Sequence, residues 1–129
     1  QPHKIYVLQS EDALNKVKEV TNCTYGAPLV FLICQDTNES WKSPYEDNYS
    51  SGEMDASIVC THMMLTAQDI GLGSVWVLLF DKQKTSEIFN LPENIKPVCL
   101  LPVGYPSDKA APSPRHSETK SLDEMVKYL

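Results

Sequence analysis

Four short apolar runs alternate with segments of helical periodicity along this chain, and this alternation limits the possible folds more than any other feature. The runs occupy residues 5–8, 28–34, 74–79 and 98–103, and β-branched and aromatic side chains are frequent in them. Residues 28–34 (PLVFLIC) carry no charge, which is typical of a strand with both faces covered. We therefore predict one α/β (α+β) domain over residues 1–129, with a central sheet flanked by helices.

Capping residues mark the starts of three helices. Ser10 precedes two acidic residues, and Asp81 precedes a segment that runs to about Phe89, so both are predicted N-caps. Ser121 and Glu124 have the spacing of a capping box, which predicts a short helix near the C-terminus.

The segment at residues 55–70 predicts a long central helix, because it lacks Gly and Pro and is followed by a Gly stop signal. Its apolar side chains cover much of the helical circumference. We expect it to be the most buried element, with core or dimer contacts at Met63, Met64 and Ala67. His62 is predicted to be a core histidine on the same helix.

Charge and composition exclude several classes of protein. The net charge is −6 and the pI about 4.9, which disfavours binding to nucleic acid. No run approaches the roughly 18 apolar residues of a membrane span, so no membrane association is expected. The four cysteines form no C-x-x-C pair, which argues against zinc. Three of them lie in apolar runs and are interpreted as small core residues, and the protein is expected to be cytoplasmic, in a reducing compartment.

The sequence contains no nucleophile motif, paired-carboxylate signature or metal cluster, which fits a protein whose chemistry belongs to a bound cofactor. Arg115 is the only arginine and lies among prolines, where it suits either phosphate recognition or a solvated surface charge. A second candidate site is the long polar connection at residues 35–52, which carries Trp41, Tyr45 and Tyr49 and could cover a small ligand.

Four blocks, in order, resemble the nitroreductase family of FMN-dependent oxidoreductases. They are QPHKIYV at residues 1–7, the helix at 54–67, GLGSVWV at 71–77, and VGYP at 103–106 followed by Arg115 and SLDEMV. They are similar to that family's Gln-Pro-Trp segment, its central helix, its GLGT-x-W-I segment, and its GYP loop, basic residue and closing helix.

This resemblance implies a set of flavin-binding residues: Gln1, Trp76, Val77, Leu78, Leu79, Arg115 and Lys120. The main chain of residues 76–79 would offer N–H groups to the N5/O4 edge of the isoalloxazine. Gln1 would hydrogen-bond the pyrimidine side of the ring. Arg115, with Lys120, would bind the FMN phosphate.

The resemblance also implies a homodimer with FMN at its interface. Electrons would pass from NAD(P)H to nitroaromatics, quinones or related small-molecule acceptors. The chain departs from the family where His3 replaces a Trp and where Leu78 and Leu79 replace smaller residues.

The family's N-terminal Arg-rich segment has no counterpart here, so the chain is expected to be N-terminally truncated and to hold FMN weakly or not at all. An alternative is a non-enzymatic flavin-fold relative that binds a ligand or dimerises without turnover.

Overall fold

The computed structural model describes residues 1–129 and contains a four-stranded antiparallel sheet in the order β1-β2-β4-β3. Its strands are His3–Leu8 (β1), Leu29–Asp36 (β2), Gly73–Ser74 (β3) and Ile95–Gly104 (β4). The helices are Glu11–Lys18 (α1), Gly52–Asp69 (α2), Lys82–Ile88 (α3) and Leu122–Met125 (α4), and Pro114–Ser117 forms a 3₁₀ turn. The predicted architecture of a central sheet flanked by helices is confirmed. None of the helices is both long and apolar enough to cross a membrane.

Both faces of the sheet are covered, and strand β2 shows how. Val30, Leu32 and Cys34 join a cluster that includes Val17 of α1, whereas Ile33 packs on the opposite face with α2. Successive side chains of a strand point to opposite faces, so an unbroken apolar run is buried on both. The prediction for residues 28–34 is confirmed, and three of the four cysteines are buried as predicted.

Two of the three predicted caps form. Ser10 Oγ accepts from Ala13 N at 3.2 Å, and Asp81 Oδ1 accepts from Lys84 N at 2.9 Å. The capping box at Ser121 is wrong, because α4 is a single exposed turn and the Ser121 side chain makes no capping bond. One helical turn without packing is marginal in water, so little fixes the cap geometry there.

The burial predicted for helix α2 is only partly correct. Ala56, Cys60 and Ala67 are buried against the sheet, and Gly71 ends the helix at a φ of 81°. The opposite side of α2 faces outward, and His62 is exposed, not in the core. The most buried element is instead β4, which is central in the sheet and covered on both faces. An apolar circumference shows that a helix prefers burial, but one sheet covers only one side of it.

The strand predicted at residues 74–79 is shorter than expected. Regular pairing with β4 covers Gly73–Ser74, and Val77 adds one isolated bridge to Leu100. Beyond it the chain turns, with Phe80 N donating to Leu78 O at 3.0 Å. Residues after Val77 lose contact with β4 because this turn leads the chain into α3.

Candidate functional site

Residues 75–80, here called the edge segment, form the outer border of the sheet beside β4. Val75 N donates to Pro102 O at 3.2 Å, and Val77 and Leu100 exchange two backbone hydrogen bonds of 2.9 and 3.0 Å. The backbone nitrogen of Pro102 faces the edge segment but carries no hydrogen, so β4 offers no donor to the edge segment at this residue. The edge segment is thus attached to the sheet at alternate residues only.

Three N–H groups of the edge segment have no partner within the protein, those of Trp76, Leu78 and Leu79. Alternate residues of a strand direct their N–H groups to opposite sides, so Trp76 and Leu78 point away from β4. The side chains of Leu78 and Leu79 are 62% and 77% exposed. The border therefore presents free backbone donors at Trp76 and Leu78 to a ligand or another chain, and Leu79 adds an unpaired N–H in the turn beside them.

The far end of the edge segment is held by the connection between α1 and β2. Thr21 Oγ1 donates to Leu79 O at 2.7 Å, and Asp81 N donates to Val20 O at 3.0 Å. A cleft of about 440 Å³ lies between the two segments, lined by residues 20–23 and 78–81. No local signal in the sequence marks Thr21, because its partner lies 58 residues away.

Trp76 contributes its side chain on the α2 side of the sheet, where it packs against the apolar cluster around Cys60 and Leu101. Its indole Nε1 is buried and has no hydrogen-bond partner within the chain. A buried donor without an acceptor costs free energy, so an acceptor from outside this chain would relieve it.

The last 25 residues, 105–129, here called the arm, are all exposed. Arg115 lies in the 3₁₀ turn Pro114–Ser117, and neither it nor Lys120 forms an ion pair. Two predicted phosphate ligands are therefore cations without an ion pair, on a segment whose side chains are all exposed.

The structure brings together only part of the predicted site. Trp76, Val77, Leu78 and Leu79 form one continuous border, although Val77 itself is buried and paired with Leu100. Gln1 precedes β1, at the opposite border of the sheet, three strand spacings or roughly 14 Å away. Arg115 and Lys120 make no hydrogen bond or ion pair to the edge segment, so their roles stay predictions.

The residues present fit a flavin mononucleotide. The rim of an isoalloxazine offers ring nitrogen and carbonyl acceptors, for which unpaired main-chain N–H groups are suitable donors. A phosphate requires cations or N–H groups, which Arg115 and Lys120 can supply. The donor set thus contains both parts that such a cofactor needs.

The connection at residues 37–51 is less suited to an apolar ligand. Trp41 and Tyr45 are 57% and 93% exposed, so their rings face outward. A cleft in this connection is lined by polar side chains, with Tyr49 the only aromatic one.

Comparison with known proteins defines the class of protein. The sequence model of the Nitroreductase family matches residues 8–105. The chain therefore belongs to the nitroreductase family, as the four sequence blocks predicted.

Individual relatives agree with this assignment. A crystal structure of a nitroreductase family protein from Clostridium difficile superimposes with a TM-score of 0.90 at 38% identity, over 98% of this chain and 73% of that one. A Methanothermobacter thermautotrophicus protein named NADH dehydrogenase/NAD(P)H nitroreductase is 28% identical over 84% of this chain. The FMN reductase [NAD(P)H] of Bacillus subtilis is 28% identical over 97% of it. The chain spans only 57% and 60% of the lengths of these two relatives.

Proposed function

We propose that this protein is an FMN-dependent oxidoreductase that passes electrons from NAD(P)H to nitroaromatics, quinones or related acceptors. The observation that carries the proposal is the row of unpaired N–H groups of Trp76, Leu78 and Leu79 on an open border of the sheet. Membership of the nitroreductase family and relatives with NAD(P)H and FMN in their names support it.

Bound FMN would supply the redox chemistry, accepting electrons from the nicotinamide and delivering them to the acceptor. The edge segment would hold the ring through its N–H groups, which favour negative charge on the flavin rim. Arg115 and Lys120 would bind the phosphate, and an arginine can do so with two parallel hydrogen bonds. Gln1 would reach the pyrimidine side of the ring.

We propose that the site is completed in a homodimer. Gln1 and the edge segment lie at opposite borders of the sheet in one chain, and a second copy offers a further set of the same groups. On α2, Met54, Ile58 and Leu65 form an exposed apolar stripe on the side opposite the sheet. Their spacing of four and seven residues is that of helices that pack together, so this stripe suits an interface between two copies.

The test is a titration of the purified chain with FMN, followed by visible absorbance and flavin fluorescence. We expect saturable binding with a shifted absorbance band, and oxidation of NADH or NADPH on addition of a quinone. Lumiflavin, which keeps the isoalloxazine ring but carries a methyl group in place of the ribityl phosphate, serves as the control for ring binding alone. Absence of FMN binding at 100 μM ligand would contradict the proposal; a Kd of that size corresponds to a binding free energy of about −5.5 kcal/mol.

The alternative is a relative of the flavoproteins that dimerises or binds a ligand without turnover. It predicts FMN binding or a dimer without oxidation of NADH or NADPH. The cytoplasmic location remains a prediction, which fractionation of the producing cells would test.

A further inference from the structure

Thr21 makes two hydrogen bonds that fix the direction of its hydroxyl proton. The residue lies in the connection after α1, is 8% exposed, and its Oγ1 accepts from Cys23 N at 3.0 Å. Its Oγ1 lies 2.7 Å from the carbonyl oxygen of Leu79, which can only accept. The hydroxyl proton is therefore directed at Leu79 O, and Cys23 N–H occupies a lone pair on the other side.

This contact sets the orientation of two successive peptide groups in the edge segment. The C=O and N–H of a trans peptide point in opposite directions, so holding Leu79 O towards Thr21 turns Phe80 N–H away from it. Phe80 N–H then donates to Leu78 O at 3.0 Å, which fixes the preceding peptide. The N–H of that peptide belongs to Leu79, and it points away from the turn.

The same contact has no substitute nearby. Leu79 O accepts no other hydrogen bond, and the residues after Val77 have left β4, so the sheet does not hold this peptide. On either side of this peptide the chain is fixed by backbone hydrogen bonds, between Val77 and Leu100 and from Asp81 N to Val20 O. Thr21 is thus the side chain that fixes the three residues between these two anchors.

We infer that Thr21 is a positioning residue that aims the Leu79 amide at the ligand on the sheet border, and this rests on the proposed function. Thr21 does not itself face that border, because its hydroxyl lies on the carbonyl side of the same turn. Loss of the Thr21 hydroxyl would therefore weaken binding of the flavin ring, because the rim of the ring meets the amides. The loss of affinity would be the same with and without the phosphate.

The test compares Thr21→Val, which keeps the shape and removes the hydroxyl, with Thr21→Ser, which restores it. Thr24→Val is the matched control, because Thr24 lies on the same connection and is also 8% exposed. Hydrogen exchange of the flavin-free chain is followed by mass spectrometry in peptides that cover residues 78–80. FMN and riboflavin are titrated against each variant, and the band shape of the bound flavin is recorded.

We expect Thr21→Val to speed exchange of the Phe80 N–H, the one amide of residues 78–80 that is hydrogen-bonded, and to weaken FMN and riboflavin equally, about threefold to tenfold, as for one neutral hydrogen bond. The flavin band should shift towards that of the free cofactor. Thr21→Ser should restore the exchange rate, the affinities and the band, and Thr24→Val should resemble the unmodified chain in all of them.

Three results would overturn the positioning role. In the first, Thr21→Val binds both flavins with unchanged affinity and spectrum, even if exchange is faster. In the second, Thr21→Val is soluble and folded but binds flavin more weakly, and Thr21→Ser does not restore the affinity. In the third, Thr24→Val causes the same loss. If the unmodified chain binds no flavin, the proposed function fails first, and that titration separates this case from a failure of Thr21 alone.

Discussion

Among single residues, Asp36 shows how a charge is accommodated at the end of β2. The residue is 6% exposed, and its Oδ1 accepts from Asn94 Nδ2 at 2.8 Å and from Asn38 N at 3.0 Å. Lys4 Nζ lies 3.8 Å from Oδ2. The hydrogen bond from Asn94 lowers the pKa of Asp36, and Asn38 and Lys4 lower it further against the opposing effect of burial. The carboxylate thereby ties β2 to the connections that follow β2 and precede β4.

This lowered pKa predicts acid sensitivity. A group with a depressed folded-state pKa stabilises the fold fully above its unfolded value, here 3.8, and loses that effect as the pH falls through the folded pKa. Asp36→Asn should therefore be less stable than the unmodified chain at pH 6, and the difference should shrink below pH 3.8. Urea unfolding between pH 6 and pH 2.5 measures it, with the exposed Asp123→Asn as control. A difference that is constant with pH would contradict the role of the charge.

At the scale of elements, helix α2 carries two apolar faces, of which the sheet covers one. Ala56, Cys60 and Ala67 pack on the sheet, whereas the stripe of Met54, Ile58 and Leu65 is exposed on the other side. Apolar surface arranged in a continuous stripe is uncommon on a monomer and marks an interaction surface.

The stripe yields a prediction about assembly. Sedimentation equilibrium of the unmodified chain should give twice the chain mass of 14.5 kDa at micromolar concentration. Ile58→Glu should weaken the dimer at least 100-fold, about 3 kcal/mol, because the carboxylate would be buried at the interface. Asn15→Glu adds the same charge to the exposed surface of α1 and should leave the mass unchanged. A monomeric unmodified chain, or a dimeric Ile58→Glu chain, would contradict the interface.

The elements also show what the sequence could and could not predict. Residues 28–34 and 98–103 were assigned correctly because an unbroken apolar run requires cover on both faces, which β2 and β4 have. The run at residues 74–79 looked equally strand-like, but its pairing depends on where β4 ends and where the chain turns. For α2, the pattern predicted the helix but not whether the domain or another chain covers its second face.

The candidate site was predicted in the same uneven way. The resemblance of GLGSVWV to a family segment assigned N–H donors to residues 76–79, and the structure adds that this segment borders the sheet and which of its N–H groups are unpaired. Thr21 gave no signal, because hydrogen bonds between distant parts of the chain are set by tertiary packing. The relation of Arg115 to the edge segment depends on where the arm rests, which no local pattern determines.

At the scale of the whole molecule, the domain and the arm divide the proposed site between them. Every buried residue lies at or before Val103, so the core forms without the arm. The free N–H groups belong to the domain, and the free cations Arg115 and Lys120 belong to the arm. If both bind FMN, the ring is held by one part and the phosphate by the other, and the two contributions should separate on mutation.

Arg115→Ala should therefore weaken FMN binding by about 1.5–3 kcal/mol, tenfold or more, because a charge-assisted hydrogen bond to the phosphate is lost. Riboflavin has no phosphate and should lose little. Arg115→Lys should recover only part of the affinity, since an ammonium lacks the planar fork of a guanidinium. The matched control is Lys109→Ala, which removes another exposed cation from the arm. Fluorescence titration of the unmodified chain and the three variants with both flavins measures these affinities. Equal losses for FMN and riboflavin, or none for either, would show that Arg115 is a solvated charge and that another group binds the phosphate.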